Sequence, residues 1–571
     1  MSETNSQISF DEAVKIASAP GSLYELEDKE INGLTYSCFK ICPQSLRQLY
    51  DLGRFRLDNE AIVYEDERYT YKELIDRVDS TADLLVSRLN VKKGDRVAIA
   101  MRNYPEWIVA FFATVSVGAV ACLLNAWWTE DELEYGVSLS GAKLIIADVE
   151  RAKKLDNILK KGQSKLLVVR HDNERDFTNL EVYLYDKELE LGKPMPYVEI
   201  DSEDLATMLF TSGTTGRPKG AVSTHRAVLH GLLGFGFKAA VDVARRSKSE
   251  EDEDLNGPNT FILAVPLFHV TGTVPVMMGC YTTGNRLVMM YKWDPVRALE
   301  LIEREKITVF VGVPTMAHDL LESPEFSKYD TSSLRSIGGG GAPAAPELVR
   351  QIDQKFSHGS PQIGYGMTET NGYGPQNSGE DYLNRPTSAG RVVPIMKVRI
   401  VGEDGKVLDK NQIGEIEFYG PNLISGYWED KVYTDEVIRD GWLKSGDLGY
   451  LDEDDFIYVV DRVKDMVLRG GENIYCVEVE AVLYEVPEIF EAVVFGVPDE
   501  RLGEQLIAAV VLKDGMQVSE EKIKQFLSEK LAKFKIPEHI YFSKDQLPRN
   551  AAGKFLKTQL RQQYIETHQK N

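Results

Sequence analysis

Ten residues, Thr211-Ser212-Gly213-Thr214-Thr215-Gly216-Arg217-Pro218-Lys219-Gly220, constrain this chain more than any other stretch. They follow an apolar run at 205–210 that reads as a buried strand. Glycine permits positive φ, so consecutive backbone N–H groups can turn toward one point. The hydroxyls of Thr211, Ser212, Thr214 and Thr215 add donors, and Arg217 and Lys219 add positive charge. Such a loop suits a polyphosphate. It is not a Walker A loop: no Gly-Lys-Ser/Thr lies at the right distance from Gly213, and Pro218 stands where that motif has its second Gly.

Around this loop the pattern is strand–helix alternation. Residues 61–64 and 68–71 suggest a hairpin, and 71–89 carry Leu74, Val78, Leu84, Leu85 and Leu89 at helical spacing. Strands are expected at 96–101, 142–148, 166–169, 261–265, 308–313 and 334–337. Pro105 opens a helix at a position where Pro is tolerated, and 225–240 reads as another helix. This order argues a mainly parallel α/β sheet. From Val398 the pattern changes to strands at 398–401, 414–418 and 456–460 with Asp-Gly turns, a small β subdomain. From 478 on, strands at 489–495, 506–512 and 539–542 surround a helix at 519–531. The expected fold is α/β, with a large N-terminal domain of parallel α/β subdomains plus a small β subdomain, and a smaller α+β C-terminal domain. Boundaries are placed at 1–45 for a peripheral extension with little periodicity, 46–463 for the large domain and 464–571 for the small one. Residues 247–254 read as a solvated acidic insertion.

A chain of 571 residues calls for two or more domains. Its net charge of −23 repels nucleic acid and anionic membranes on average, which argues against a nucleic-acid partner. The five cysteines are odd in number, widely spaced and outside any zinc pattern, so free thiols in a reducing compartment are expected. The polar N-terminus lacks a signal-peptide core, and the C-terminal tripeptide is not a peroxisomal Ser-Lys-Leu. A cytoplasmic location is expected. Residues 107–124 carry no charge but split at Gly118 into a buried helix and a short strand, so no membrane span is expected. No oligomeric state is read from the sequence.

Several stretches, in order, resemble the adenylate-forming superfamily of acyl-CoA synthetases, adenylation domains and luciferases. The decapeptide resembles its phosphate loop. Gly338 to Pro343 resembles the adenine-side loop, with Gly341, Ala342 and Pro343 at the contact. Tyr365-Gly366-Met367-Thr368-Glu369-Thr370 resembles the core nucleotide motif, in which the Tyr stacks on adenine, the Thr bonds phosphate and the Glu helps hold Mg²⁺. An aromatic face, a hydroxyl and a hard oxygen ligand suit those tasks, although Thr368 and Glu369 alone also suit a helix cap. Residues 442–449 resemble the ribose motif, with Asp447 offering two acceptor oxygens to a vicinal diol; alone, Asp447 reads as a turn aspartate. Residues 461–465 resemble the hinge motif, with Arg462 on ribose or phosphate and Lys464 as pivot. Gly470 and Gly471 resemble the start of the loop lining the CoA tunnel. Residues 548–557 resemble the motif whose Lys, here Lys554, drives adenylation; outside that register it would read as a solvated charge. The chain departs from the family pattern at Asp461, where Gly is usual, and at Cys476, where Pro is common.

The resemblance implies a ligase using ATP, Mg²⁺ and coenzyme A on a small-molecule carboxylic acid. An acyl-adenylate forms first, and the small domain then rotates about Lys464 so that CoA can attack. His269 stands where amino-acid adenylation domains carry Asp, which argues against an amino-acid substrate. Glycines at 338–341 leave one side of the pocket without side chains. With Gly339, Gly340, Val270, Phe310, Val311, Val313 and Met316 around that space, a medium- or long-chain fatty acid is expected. An aromatic acid of the coumarate type is the alternative, and a luciferase-like or sensor role a further one.

Overall fold

The apolar run Leu144–Asp148 is buried along its whole length, as a strand covered on both faces must be. It belongs to an eight-stranded sheet ordered Gly426–Tyr427, Lys219–Thr224, Leu205–Thr211, Val120–Leu123, Arg96–Ala100, Leu144–Asp148, Lys165–Val169, Val182–Leu184. Its pairings are parallel from Leu205–Thr211 onward, and the two pairings before that are antiparallel. A second eight-stranded sheet runs Gln376–Ser378, Ser360–Gly364, Ser336–Gly340, Val309–Gly312, Thr260–Leu263, Arg286–Met289, Glu60–Tyr64, Glu67–Thr70. The computed structural model describes residues 8–155, 159, 164–171, 181–211, 217–245, 258–470, 472–550 and 553–568. The acidic stretch 247–254 lies outside them.

Between the sheets, helices Tyr71–Asp83 and Pro105–Ser116 share one core with Val97 and Ile99 of the first sheet and Ile62 and Ile262 of the second. Local chemistry sets their ends. Thr70 and Glu73 form a capping box, and Pro105 occupies the first turn of its helix. Gly118, at φ +70°, turns the chain from the Trp107-bearing helix into the strand Val120–Leu123. Residues 107–124 therefore divide as the sequence predicts.

The region from Val398 is an antiparallel sheet of Lys397–Val401, Gly414–Tyr419, Trp442–Leu451, Ile438–Arg439 and Ile457–Arg462. After 463–466 the chain enters a last sheet of Glu472–Ile474, Val467–Arg469, Gly503–Leu512, Ile489–Asp499 and His539–Ser543. The helix expected at 519–531 is Glu520–Ser528, capped by Ser519.

The N-terminal segment is not peripheral. Helix Phe10–Ala17 and the hairpin Leu26–Ile31/Leu34–Phe39 bury Phe10, Ala13 and Phe39 in a core with Phe237, Val241, Tyr373 and Phe418. Tyr24 stacks on Phe237 at 5.4 Å. The helix is short and the first hairpin strand is largely exposed, so neither shows much periodicity. Among the described residues, one helix, His225–Arg245, is long and apolar enough to cross a membrane. However, 56% of its most apolar window is buried, against the N-terminal segment among others.

Candidate active site

The carboxyl ends of parallel strands are where α/β folds gather ligands. Leu205–Thr211 pairs with Lys219–Thr224 up to Thr211↔Lys219, so Thr211 and Lys219 form the base of the glycine-rich loop. Ser212, Gly213, Thr214, Thr215 and Gly216 lie outside the described residues. Lys219 forms an ion pair with Asp430, its Nζ 4.3 Å from the Tyr433 ring centroid.

Strand Ser360–Gly364 delivers Tyr365 through Glu369. Gly366 lies so close to the backbone that a Cβ there would sit 2.2 Å from the Gly372 carbonyl oxygen. Thr368, Glu369 and Thr370 form one tight turn. The Tyr365 hydroxyl donates to Asp447 Oδ2 at 2.6 Å, and Arg462 Nε lies 3.5 Å from Asp447 Oδ1. Burial raises the Asp447 carboxyl, while Arg462 and the Tyr365 bond oppose the rise. Glu369 is 7% exposed and accepts a 2.5 Å bond from the Tyr427 hydroxyl. Its carboxyl is raised by burial and held down by that bond.

Lys554 reaches this group from the far end of the chain. Gly553 has φ +79°, and the Lys554 N–H donates to Asn550 Oδ1 at 3.0 Å. A Cβ built on Gly341, at φ +83°, would lie 3.4 Å from Lys554 Cε. Burial, then repulsion from Arg462, lowers the Lys554 ammonium to about 8, against the attraction of Asp447 and Glu369. His269 is half-buried nearby; burial, then Lys554, lowers its imidazole to about 4. Stretches hundreds of residues apart thus place one ammonium, two carboxylates and a guanidinium around the end of strand Ser336–Gly340, beside Gly341, Ala342 and Pro343.

The glycine run differs from its sequence reading. Gly338 to Gly340 lie in the strand itself, which starts two residues later than expected, and the missing side chains of Gly339 and Gly340 face neighbouring backbone. A Cβ on Gly339 would lie 2.1 Å from the Gly312 oxygen, and one on Gly340 2.5 Å from the Gly364 oxygen. Both neighbours are ladder partners, so close strand approach, rather than acyl space, accounts for these two glycines. Val313 contacts the Lys554 loop: a Cβ on Gly553 would lie 2.7 Å from its Cγ2. Val270 and Phe310 are buried, Phe310 edge-on to Trp293 at 5.9 Å. Lys464 is exposed. Gly470, at φ +63°, donates its N–H to the Leu502 carbonyl at 2.7 Å in the C-terminal sheet, and Gly471 lies outside the described residues. Tyr427, Asp430 and Tyr433 were invisible in the sequence; Gly426–Tyr427 is a two-residue strand, too short for any periodicity.

A nucleotide-type site at strand ends, completed by a lysine from a second domain, defines an enzyme of the adenylate-forming class. The chain belongs to the AMP-binding enzyme family: the family model described as AMP-binding enzyme matches residues 51–428, and the AMP-binding enzyme C-terminal domain matches 478–554. Among its relatives, long-chain-fatty-acid–CoA ligase FadD13 of Mycobacterium tuberculosis is 32% identical over 88% of this chain and 94% of its own. Medium-chain acyl-CoA ligase ACSF2 of Mus musculus is 33% identical over 90% and 86%. The crystal structure of ATP-bound MatB from Rhodopseudomonas palustris superposes with a TM-score of 0.78 at 30% identity, covering 91% of this chain and 99% of that one.

Proposed function

We propose that this protein is an ATP-dependent carboxylic acid–CoA ligase acting on a medium- or long-chain fatty acid. The observation that carries the reading is Lys554 seated among Glu369, Asp447 and Arg462. In the first half-reaction a substrate carboxylate oxygen attacks the α-phosphorus of ATP, and the bond to pyrophosphate breaks. No protein nucleophile is needed, so catalysis is positioning and charge stabilisation. Lys554 bridges the carboxylate and the α-phosphate. Thr211, Lys219 and the loop between them hold the β and γ phosphates. Tyr365 stacks on adenine beside Gly341, Ala342 and Pro343, Thr368 bonds phosphate, and Asp447 takes the ribose hydroxyls. In the second half-reaction the CoA thiolate attacks the acyl carbonyl and AMP leaves, after a turn about Lys464 that withdraws Lys554 and presents Gly470 and Gly471.

Among the described residues no cluster of three or more His, Cys, Asp or Glu could hold a metal ion. A single carboxylate, Glu369, fits Mg²⁺, which takes one or two protein carboxylates and fills its shell with phosphates and water. Bound there, it would offset phosphate charge. Apolar Val270 and Val313 and the fatty-acid ligases among the relatives support the acyl class, and five free thiols support a reducing, cytoplasmic setting.

Pyrophosphate release, measured with fatty acids of graded length and with coumarate, with and without CoA, tests this. Lys554→Ala should abolish acyl-AMP formation and spare thioester formation from supplied acyl-AMP. Equal loss of both half-reactions sinks the two-conformation mechanism; turnover of coumarate alone sinks the fatty-acid assignment.

A further inference from the structure

Helix Cys476–Leu483 is the first helix after the crossing at 463–466, following strands Val467–Arg469 and Glu472–Ile474, and its N-cap residue Tyr475 gives it no side-chain cap. The free N–H is taken from across the crossing. Asp461, the penultimate residue of strand Ile457–Arg462 and 3% exposed, accepts the Cys476 N–H on Oδ2 at 2.5 Å. Its Oδ1 accepts the Arg462 N–H at 2.8 Å. Proline at 476 would have no N–H to give, so two departures from the family pattern meet in one hydrogen bond. The Cys476 thiol donates to the Asp465 carbonyl at 3.1 Å, tightening the crossing itself.

The same carboxylate also faces Lys557. That ammonium lies 2.9 Å from Glu480, one turn along the capped helix, and Asp461 is among the charges that favour its protonation. Lys557 begins the final helix, Lys557–His568, three residues beyond Lys554. One buried carboxylate of the large domain therefore holds the first turn of the small domain's helix and attracts the root of the Lys554 loop.

We infer that Asp461 is a positioning residue for adenylation: by capping helix Cys476–Leu483 across the crossing, it holds the small domain with Lys554 in the site, and it lets go for thioester formation. This rests on the ligase reading and on Lys464 as pivot. A carboxylate at a helix N-terminus completes an orphan N–H and favours the helix dipole. The bond lasts only while the two domains keep this orientation.

The test uses the full chain and single-turnover rates of both half-reactions. Asp461→Ala should slow acyl-AMP formation about five- to tenfold, the scale of a lost cap, without slowing thioester formation from supplied acyl-AMP. Asp461→Asn, which keeps an acceptor oxygen, should recover part of the loss. Cys476→Pro, with Pro at a tolerated first-turn position, should behave like Asp461→Ala, whereas Cys476→Ser keeps the N–H and should stay near wild type. Tryptic cleavage after exposed Lys464 gives a readout independent of turnover and should accelerate several-fold in Asp461→Ala at unchanged melting temperature. Equal slowing of both half-reactions with a lowered melting temperature, or unchanged rates and cleavage, overturns the inference. If wild type adenylates no acid, the ligase reading fails, and the cleavage comparison alone decides whether Asp461 fastens the domains.

Discussion

Raising the pH should switch off the first half-reaction by discharging Lys554. Burial and Arg462 bring its ammonium from 10.5 to about 8. Its charged share then falls from about 90% at pH 7 to about 10% at pH 9, so kcat/KM for acyl-AMP formation, which reports the free enzyme, should drop about ninefold. A lysine at its ordinary value would leave that interval flat. Stability moves the other way. Between pH 8 and 10.5 the unfolded chain binds a proton at this residue that the folded chain lacks, so the residue's contribution to stability rises with pH. Below pH 8 the folded state carries the cost of a desolvated charge, at most about 3 kcal/mol, reduced where water reaches the half-buried side chain. Lys554→Met keeps the apolar stem and removes the charge. It should melt above wild type at pH 7, with the gap closing toward pH 10. The assay is pyrophosphate release at low ATP with Mg²⁺ held in excess, from pH 6.5 to 9.5, on wild type and on Lys554→Arg, which stays charged. A flat wild-type profile refutes the argument, as does the same alkaline limb in Lys554→Arg.

Lys464→Pro fixes φ at the pivot; acyl-AMP should accumulate while CoA consumption stalls, and thioester formation at the native rate would exclude Lys464 as pivot. Gly340→Ala puts a methyl against the Gly364 carbonyl. It should lower stability by about 1–3 kcal/mol without changing acyl-length preference, read by melting curves beside the acid panel; a shifted preference at native stability would return Gly340 to the acyl pocket. Tyr427→Phe deletes the hydrogen bond that orients Glu369. A bond to a charged group is worth about 1.5–3 kcal/mol, so the Mg²⁺ concentration for half-maximal pyrophosphate release should rise about tenfold or more, and an unchanged titration would remove Tyr427 from the site.

What the sequence showed were motifs carried by contiguous residues: Thr211 with Lys219, Tyr365 with Glu369, Asp447, Lys554. What it hid were partnerships made by strand register. Tyr427 reaches Glu369 because Gly426–Tyr427 pairs with Ala221 and Val222, and no periodicity marks a strand that short. The glycines at 338–340 reveal a demand for small residues but not its cause, since empty space and a close backbone neighbour leave the same trace. Asp461 and Cys476 each read as an isolated departure, and their hydrogen bond appears only once the strand and the helix are set side by side.

The N-terminal hairpin has a consequence for how the chain is made. The Tyr419 hydroxyl donates to the Thr35 carbonyl across a separation of 384 residues, and Tyr36 stacks on Tyr419 at 4.7 Å. At ribosomal rates of about 5–20 residues per second, roughly 20–80 s pass between synthesis of the hairpin and of its partner. For about the first half of that interval Phe10 and Phe39 have emerged without helix His225–Arg245, whose Phe237 shares their core, and the hairpin waits longer still for the β subdomain. The segment made first therefore waits for partners made much later, so nascent chains stalled before helix His225–Arg245 has emerged should be the ones that chaperones retain and proteases trim from the front.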